Sequence, residues 1–412
     1  MNAKLVRQLY PRVLAKTLAL TRSLPDAEDA VQDAVERALA TWPRDGEPDS
    51  PEAWLVTVAT NCHRDRMRHA QRVERHRDAV MALAEMSPCA CTAIGDAAIA
   101  RGWKDELLAL VFACCHPALD EGESAALALA TVIGLSTSEI AAAFLVAPRT
   151  MEQRLTRARQ RLRERGDPEG TLPERAHDRL DAVLRTLQLL FNEGYWSTSD
   201  DAPIRADLCR LALGLARSLQ ATYPEAMEVT GLLCMMQLHD ARRAARLDEH
   251  GEPIPLPEQD RSRWDIGAIA EAAIMLEHAL AAGPAGPFLI EAAISALHSR
   301  AESAETTDWE QIAALYALLE PLRPTLAVRV NRVVAVSKAH DPATALELLD
   351  RHDHFDVAAY PYTPLVRGVL LADLGRIEEA KTELQRAERV ARNAHEARQI
   401  RSRIQRLENR DT

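Results

Sequence analysis

Residues 134–165 constrain this chain more than any other stretch. Gly134-Leu135 closes one helical pattern. Ser136-Thr137-Ser138-Glu139 follows as a capping box, with a serine hydroxyl in reach of the third amide and a glutamate able to reach back. The helix it opens is short, from Thr137 to Phe144, and Ala147-Pro148 turns the chain. A second helix then runs from about Arg149 to Arg165, with Met151, Leu155, Ala158 and Leu162 on one apolar face. A short helix, a tight turn and a longer helix make a helix-turn-helix. The other face carries Arg149, Glu152, Gln153, Thr156, Arg157 and Gln160. Arginine and glutamine match the edges of guanine and adenine in the major groove. A solvated amphipathic helix would carry similar charges, but the cap, the turn and the short preceding helix favour recognition.

Composition sets the frame around this motif. At roughly 150 residues per domain, 412 residues make two or three domains. Aromatics are only 4%, and 16 Gly and 22 Pro are few for this length, which argues against a β-rich, fibrous or disordered chain and for an all-α one. No apolar run reaches the roughly 18 residues that span a bilayer, so no membrane association is expected. Lys4, Arg7, Arg12 and Lys16 are spread through the first twenty residues, unlike a signal peptide. Seven cysteines without a regular framework suit a reducing cytoplasm. The net charge of −11 speaks against nucleic acid, but its distribution does not. Residues 1–180 hold 24 Lys and Arg against 26 Asp and Glu; residues 181–412 hold 26 against 35. Residues 64–77 contain six arginines and two acids, and residues 149–165 seven and two. Local basic stripes of this kind are the footprint of phosphate binding.

Three helical segments are expected within residues 1–77. The second starts near Pro25-Asp26, repeats Ala27, Ala30, Val31, Ala34, Val35 and Ala38 at helical spacing, and is broken by the turn-rich residues 43–50. Ser50 caps the third, with Pro51 at its first position. Residues 78–100 form a linker, 101–166 a second helical unit, 167–180 a second linker, and 181–412 a run of helices with one irregular insert at 248–265.

These blocks resemble a known family. Gly134-Leu135-Ser136, Glu139-Ile140-Ala141, Thr150-Met151, Arg154-Leu155, Arg157-Ala158-Arg159 and Leu162-Arg163 are similar to domain 4 of extracytoplasmic-function sigma factors. Asp26-Ala27-Glu28-Asp29, Val31-Gln32-Asp33, Trp54-Leu55, Val58-Ala59, Asn61, Asp65 and Arg68 are similar to domain 2. Phe112-Ala113-Cys114-Cys115-His116-Pro117, Asn192-Glu193-Gly194-Tyr195, His239-Asp240-Ala241-Arg242-Arg243 and residues 260–265 resemble the subgroup with a long, tetratricopeptide-like C-terminal extension. Val35, Thr60 and Arg149 depart from the family's usual residues. The resemblance implies an all-α chain: two small helical sigma domains, the second a helix-turn-helix, followed by an α-helical repeat domain.

It also implies an alternative sigma factor, not an enzyme, with core RNA polymerase and promoter DNA as partners. Asp29, Gln32, Asp33 and Glu36 form one stripe that would dock on polymerase. Thr57, Asn61, Arg64 and Arg68 would serve the −10 element, with Arg66 and Arg72 as further phosphate contacts. Arg149, Thr150, Gln153, Arg154 and Arg157 would read the −35 element. Stacking on a melted base would fall to Trp42 or Trp54, with Trp54 the better core candidate.

Cys89-Ala90-Cys91 and Cys114-Cys115-His116 lack the spacing of a zinc site and read as buried thiols; His352-Asp353-His354 is equally weak, and no metal or cofactor is expected. Residues 374–390, where small residues at Gly375, Ala380 and Ala387 permit close packing, resemble the second helix of a tetratricopeptide repeat, and residues 327–349 are a looser copy with Ala345 in the equivalent small position. Such a surface suits a regulatory protein or polymerase itself. The charges from Glu193 through His239 to Asp265 read as a salt-bridge network in preference to a ligand pocket. Two rivals remain: a helix-turn-helix activator with a repeat sensor, and an enzyme fused to a DNA-binding unit. The first needs neither the stripe nor the 54–68 helix, and the second finds no catalytic motif.

Overall fold

The computed structural model describes residues 3–81, 105–144, 146–165, 177–197, 204–351, 360–391 and 394–408. Their regular structure is helical, with no strand and a single β-bridge between Leu247 and Pro253 among the described residues, as the all-α expectation had it. Contacts divide the chain into Met1–Leu189 and Leu190–Thr412. Cys89, Cys91, residues 166–176 and His352-Asp353-His354 lie outside the described residues.

The N-terminal unit begins with α1 (Ala3–Thr21), α2 (Leu24–Asp45) and α3 (Pro51–Met81), which pack on one another. Ser23 caps α2 by accepting from the Asp26 amide, and the helix runs past Pro43 to Gly46, whose φ of 85° lies in the left-handed region. Val13 and Leu14 from α1, Ala27, Val31, Ala34 and Ala38 from α2, and Leu55, Ala59 and Cys62 from α3 form the buried centre. The tryptophans are distributed differently from the expectation. Trp42 is buried, whereas Trp54 is half-buried and meets it edge-on at 5.4 Å. Leu55 and Ala59 already fill the inward face of α3, so Trp54 and Val58 sit at its border.

Next come α4 (Glu106–Cys114), α5 (Glu121–Ala128), a π-turn at Leu129–Ile133, α6 (Thr137–Ala143) and α7 (Pro148–Arg165). Asp105 caps α4, and Asp120 with Glu123 makes a second capping box at α5. Cys114 and Cys115 are buried thiols, hydrogen-bonded to Thr131 and Thr186. Burial raises both, Cys115 to about 12, so neither is a thiolate at neutral pH. Arg179 reaches the Phe112 carbonyl and Arg185 the Glu121 carboxylate, joining the start of α8 (Leu180–Tyr195) to this unit.

The C-terminal unit is built around α10 (Met227–Asp240), which follows α9 (Ala206–Thr222). Residues 229–236 of α10 are all buried, the pattern of a helix covered on every side. It packs against α9, α11 (Ile266–Ala282) and α12 (Pro287–Arg300). Gly231 allows the closest approach: a Cβ there would lie 2.6 Å from the Leu289 amide nitrogen. Glu228 accepts from the Phe288 and Leu289 amides and so fixes the start of α12. The chain continues with α13 (Trp309–Leu322), α14 (Leu326–Ala339), α15 (Pro342–Asp350), α16 (Thr363–Asp373), α17 (Ile377–Arg389) and α18 (Ala394–Glu408). Successive helices from α13 to α18 pack on one another, with Val333, Ala345, Leu370, Ala380, Leu384 and Ile400 in one core. Ala345 and Ala380, singled out as small packing positions, are fully buried.

Candidate nucleic-acid interface

The interface begins with local chemistry. Gly134 adopts φ 70°, ending the π-turn. The Ser136 amide then donates to the Glu139 carboxylate at 2.7 Å while the Glu139 amide donates to the serine hydroxyl at 3.3 Å. That capping box starts α6, and Pro148 starts α7 with the Met151 amide bonded to the Ala147 carbonyl. Met151, Leu155, Ala158 and Leu162 are buried, which fixes the rotation of α7. Arg149, Thr150, Gln153 and Arg157 consequently face solvent. Arg157 also donates to the Gln153 carbonyl one turn earlier. Arg154 is half-buried, with its guanidinium 5.7 Å from the centre of the Phe144 ring.

The inner edge of α7 does something else. Arg159 forms a two-pronged pair with Glu28 of α2, at 3.0 and 3.1 Å, and Glu28 is 8% exposed. Arg163 bonds Asp29 at 2.9 Å, and Arg161 bonds the buried Glu123. Three arginines of the basic stripe thus face carboxylates of the same chain. Nothing local in the sequence marks the Glu28 pair, since its partners are 131 residues apart.

On α3, Thr57, Asn61, Arg64 and Arg68 are exposed. The Thr57 hydroxyl donates to the Ala53 carbonyl, and Arg68 lies 3.7 Å from Asp65. Arg66, expected as a phosphate contact, turns to α2 instead and bonds Asp33 at 2.6 Å, because α3 packs along α2 there. Arg72 lies where no side chain is described. The stripe on α2 is formed as its spacing requires: Asp29 and Asp33 are half-buried and paired, and Gln32 and Glu36 are exposed and bonded to each other at 3.4 Å.

The geometry defines a two-part helical protein: one part is a three-helix packing with an exposed Thr, Asn and Arg face on α3, and the other a helix-turn-helix with an exposed Arg, Thr and Gln face on α7. Residues 5–73 match sigma-70 region 2 and residues 109–162 match sigma-70 region 4. Residues 179–280 match a family of unknown function, DUF6596. Over 399 residues the chain is 40% identical to an uncharacterized protein of Rhizobium meliloti (strain 1021), covering 96% of this chain and 93% of that one. No solved structure matches it. The chain carries sigma-70 regions 2 and 4; these domains support a sigma-70 type sigma factor role in promoter recognition and imply core RNA polymerase and promoter DNA as partners. No helix among the described residues is long and apolar enough to cross a membrane.

Proposed function

We propose that the chain is an alternative sigma factor of the extracytoplasmic-function type, in which Arg149, Thr150, Gln153, Arg154 and Arg157 on α7 read the −35 element. The observation that carries this is the rotation of α7: the apolar side is buried and the Arg, Thr and Gln side is left to solvent. Arg154 acts partly by its hold on Phe144. Thr57, Asn61, Arg64 and Arg68 of α3, with the loop after α2, serve the −10 element. Asn61 offers an amide to a flipped base and the arginines hold phosphates.

Asp29, Gln32, Asp33 and Glu36 dock on core polymerase. Because Asp29 and Asp33 already hold Arg163 and Arg66, docking exchanges internal pairs for intermolecular ones. The contact between α2 and α7 therefore describes a closed form that polymerase must open.

Residues 190–412 act on the sigma units in cis as a tetratricopeptide-like surface that contacts polymerase or a regulatory protein. The consecutive packing of α14 to α17 supports this reading.

Run-off transcription with purified core polymerase tests the whole reading. The full chain should start transcription at a matched promoter, and Asp29→Lys with Asp33→Lys should weaken core binding without loss of helicity. Unchanged core affinity in a pull-down would remove the docking assignment. A chain ending after Ser197 keeps α8 whole; it should transcribe less while binding promoter DNA equally well.

A further inference from the structure

The charged segment of the C-terminal unit divides into two populations. One is a structural network. Arg243 pairs with Asp240 at 2.8 Å, Asp260 and Asp265 cap the turns that follow them, and Arg261 donates to the His298 and Ala301 carbonyls. The other population faces a cavity of about 440 Å³, within the range of about 300–1,000 Å³ typical of small-molecule sites. Arg242, Arg246 and Arg403 all line it.

Arg242 and Arg246 lack the paired carboxylates their neighbours have, while Arg403 feels the carboxylates of Glu258 and Asp373 without an ion pair to either among the described residues. Arg242 is 4% exposed, and its Nε and Nη1 have no hydrogen-bond partner among the described residues. Its Nη2 faces Nδ1 of His239 at 3.3 Å. Burial and the guanidiniums of Arg242 and Arg246 hold His239 well below its ordinary pKa, so that ring is neutral and cancels no charge. Its Nδ1 accepts from Arg242, which leaves Nε2–H to donate to the Ser295 hydroxyl at 3.1 Å.

Arg246 lies over Tyr195, with its guanidinium carbon 3.5 Å from that ring centre and 5.4 Å from that of Trp196, and it is hydrogen-bonded to the Tyr195 side chain. Burial, with the guanidinium of Arg242 adding to it, lowers its pKa, and the Tyr195 hydrogen bond offsets this only in part. Arg403 stands exposed at the mouth. None of the three has an ion pair among the described residues, whereas nearby Arg398 holds Glu252. Glu396, the carboxylate in the wall, is itself engaged.

A buried guanidinium with free donors is costly unless something supplies the missing charge. The rest of the wall says what else that something carries. Tyr195 and Trp196 offer flat aromatic surface, and Ile254, Leu365 and Ile400 offer aliphatic surface. Gly194 sets the aromatic pair in place, since a Cβ there would lie 2.7 Å from the Cys209 amide nitrogen.

We propose that this cavity binds a small organic anion, its carboxylate or phosphate held by Arg242 and Arg246 and its planar or apolar body lying against Tyr195, Trp196 and the aliphatic wall. Guanidinium planes suit both anions, because each presents paired oxygens to the N–H fork. The site belongs to the C-terminal unit alone and is independent of how α2, α3 and α7 are read.

The test uses the full chain and 8-anilinonaphthalene-1-sulfonate, a fluorescent probe that joins one anion to a flat apolar body. One saturable site is expected. Arg246→Gln should weaken it about tenfold or more, as the loss of a charge-assisted contact does, and Arg403→Gln by a smaller factor. N-phenyl-1-naphthylamine, the same body without the sulfonate, should bind at least about tenfold more weakly. If Arg246→Gln does not fold by circular dichroism, Arg403→Glu at the exposed mouth takes its place. No saturable binding, equal binding of the uncharged compound, or Arg variants within twofold of the parent would overturn the proposal. Neither polymerase nor promoter enters the assay, so its failure leaves the sigma-factor reading standing.

Discussion

The acidic stripe of α2 and the outer face of α7 look alike as patterns: each is one polar side of an amphipathic helix. In the folded unit they differ. Asp29 and Asp33 already hold Arg163 and Arg66, whereas Arg149, Gln153 and Arg157 face solvent. One surface is closed by the protein's own cations and the other stands open. Helix α7 takes part in both conditions: Arg159 and Arg163 on its inner edge grip α2, where Arg66 of α3 also pairs, and the residues on its outer edge do not. A charged stripe thus states what a surface can bind, and packing decides whether it is occupied already.

The strongest way to break this contrast is to remove the buried member of the closed surface. Arg159→Ala leaves the Glu28 carboxylate, 8% exposed, without its partner. Urea unfolding of the N-terminal unit should show a loss of about 2–3 kcal/mol. Arg163→Ala, whose partner Asp29 is half-exposed, should cost under about 1 kcal/mol. Equal costs would mean that the α2–α7 contact is not organised around Glu28.

The open surface is sharpened by base-pair discrimination. Gln153→Ala should lose about 1–3 kcal/mol of preference at one or two base pairs, read by competition between promoter variants. Arg157→Ala should weaken all sequences alike and lower the salt slope by about one phosphate contact. If neither changes promoter use, the outer face of α7 is an ordinary solvated face.

The two units should also answer differently to solution conditions. Exposed ion pairs in the N-terminal unit are screened by salt. The C-terminal unit instead holds His239 far below its ordinary pKa and His298 at about 4, both through burial beside arginines. Below about pH 6.5 the unfolded chain takes up protons that these folded rings refuse, so stability falls as pH drops from 6.5 towards 4. The slope is at most about 1.4 kcal/mol per pH unit for each ring. Thermal unfolding at pH 7 and pH 5 should show the C-terminal transition moving down; a constant midpoint would show that the rings are hydrated.

The smallest effect tests the closed form itself. Arg163→Ala frees one side of Asp29 and should raise core-polymerase affinity by up to about fivefold, the worth of one exposed pair. A decrease would place Arg163 among the groups that touch polymerase.

Local chemistry made much of this molecule legible without coordinates. Ser136 and Glu139 cap α6, and Met151, Leu155, Ala158 and Leu162 turn one side of α7 inward. The small positions Ala345 and Ala380 lie in the packed core of the last helices. Each of these depends on residues within a turn or two, so periodicity and capping suffice. The helix pattern likewise placed Asp29, Gln32, Asp33 and Glu36 on one side of α2, but it could not say that Arg163 and Arg66 would meet them. Tertiary structure alone decided that Arg159 would reach Glu28 across 131 residues, and that Trp42, not Trp54, would be the buried indole. It alone split the charges around His239 into a bonded network and three cations facing a cavity, where a network throughout had been expected. The walls of that cavity come from residues 195 to 403, and a side chain's electrostatic partner is set by which surfaces the packing brings together, a matter no local pattern encodes.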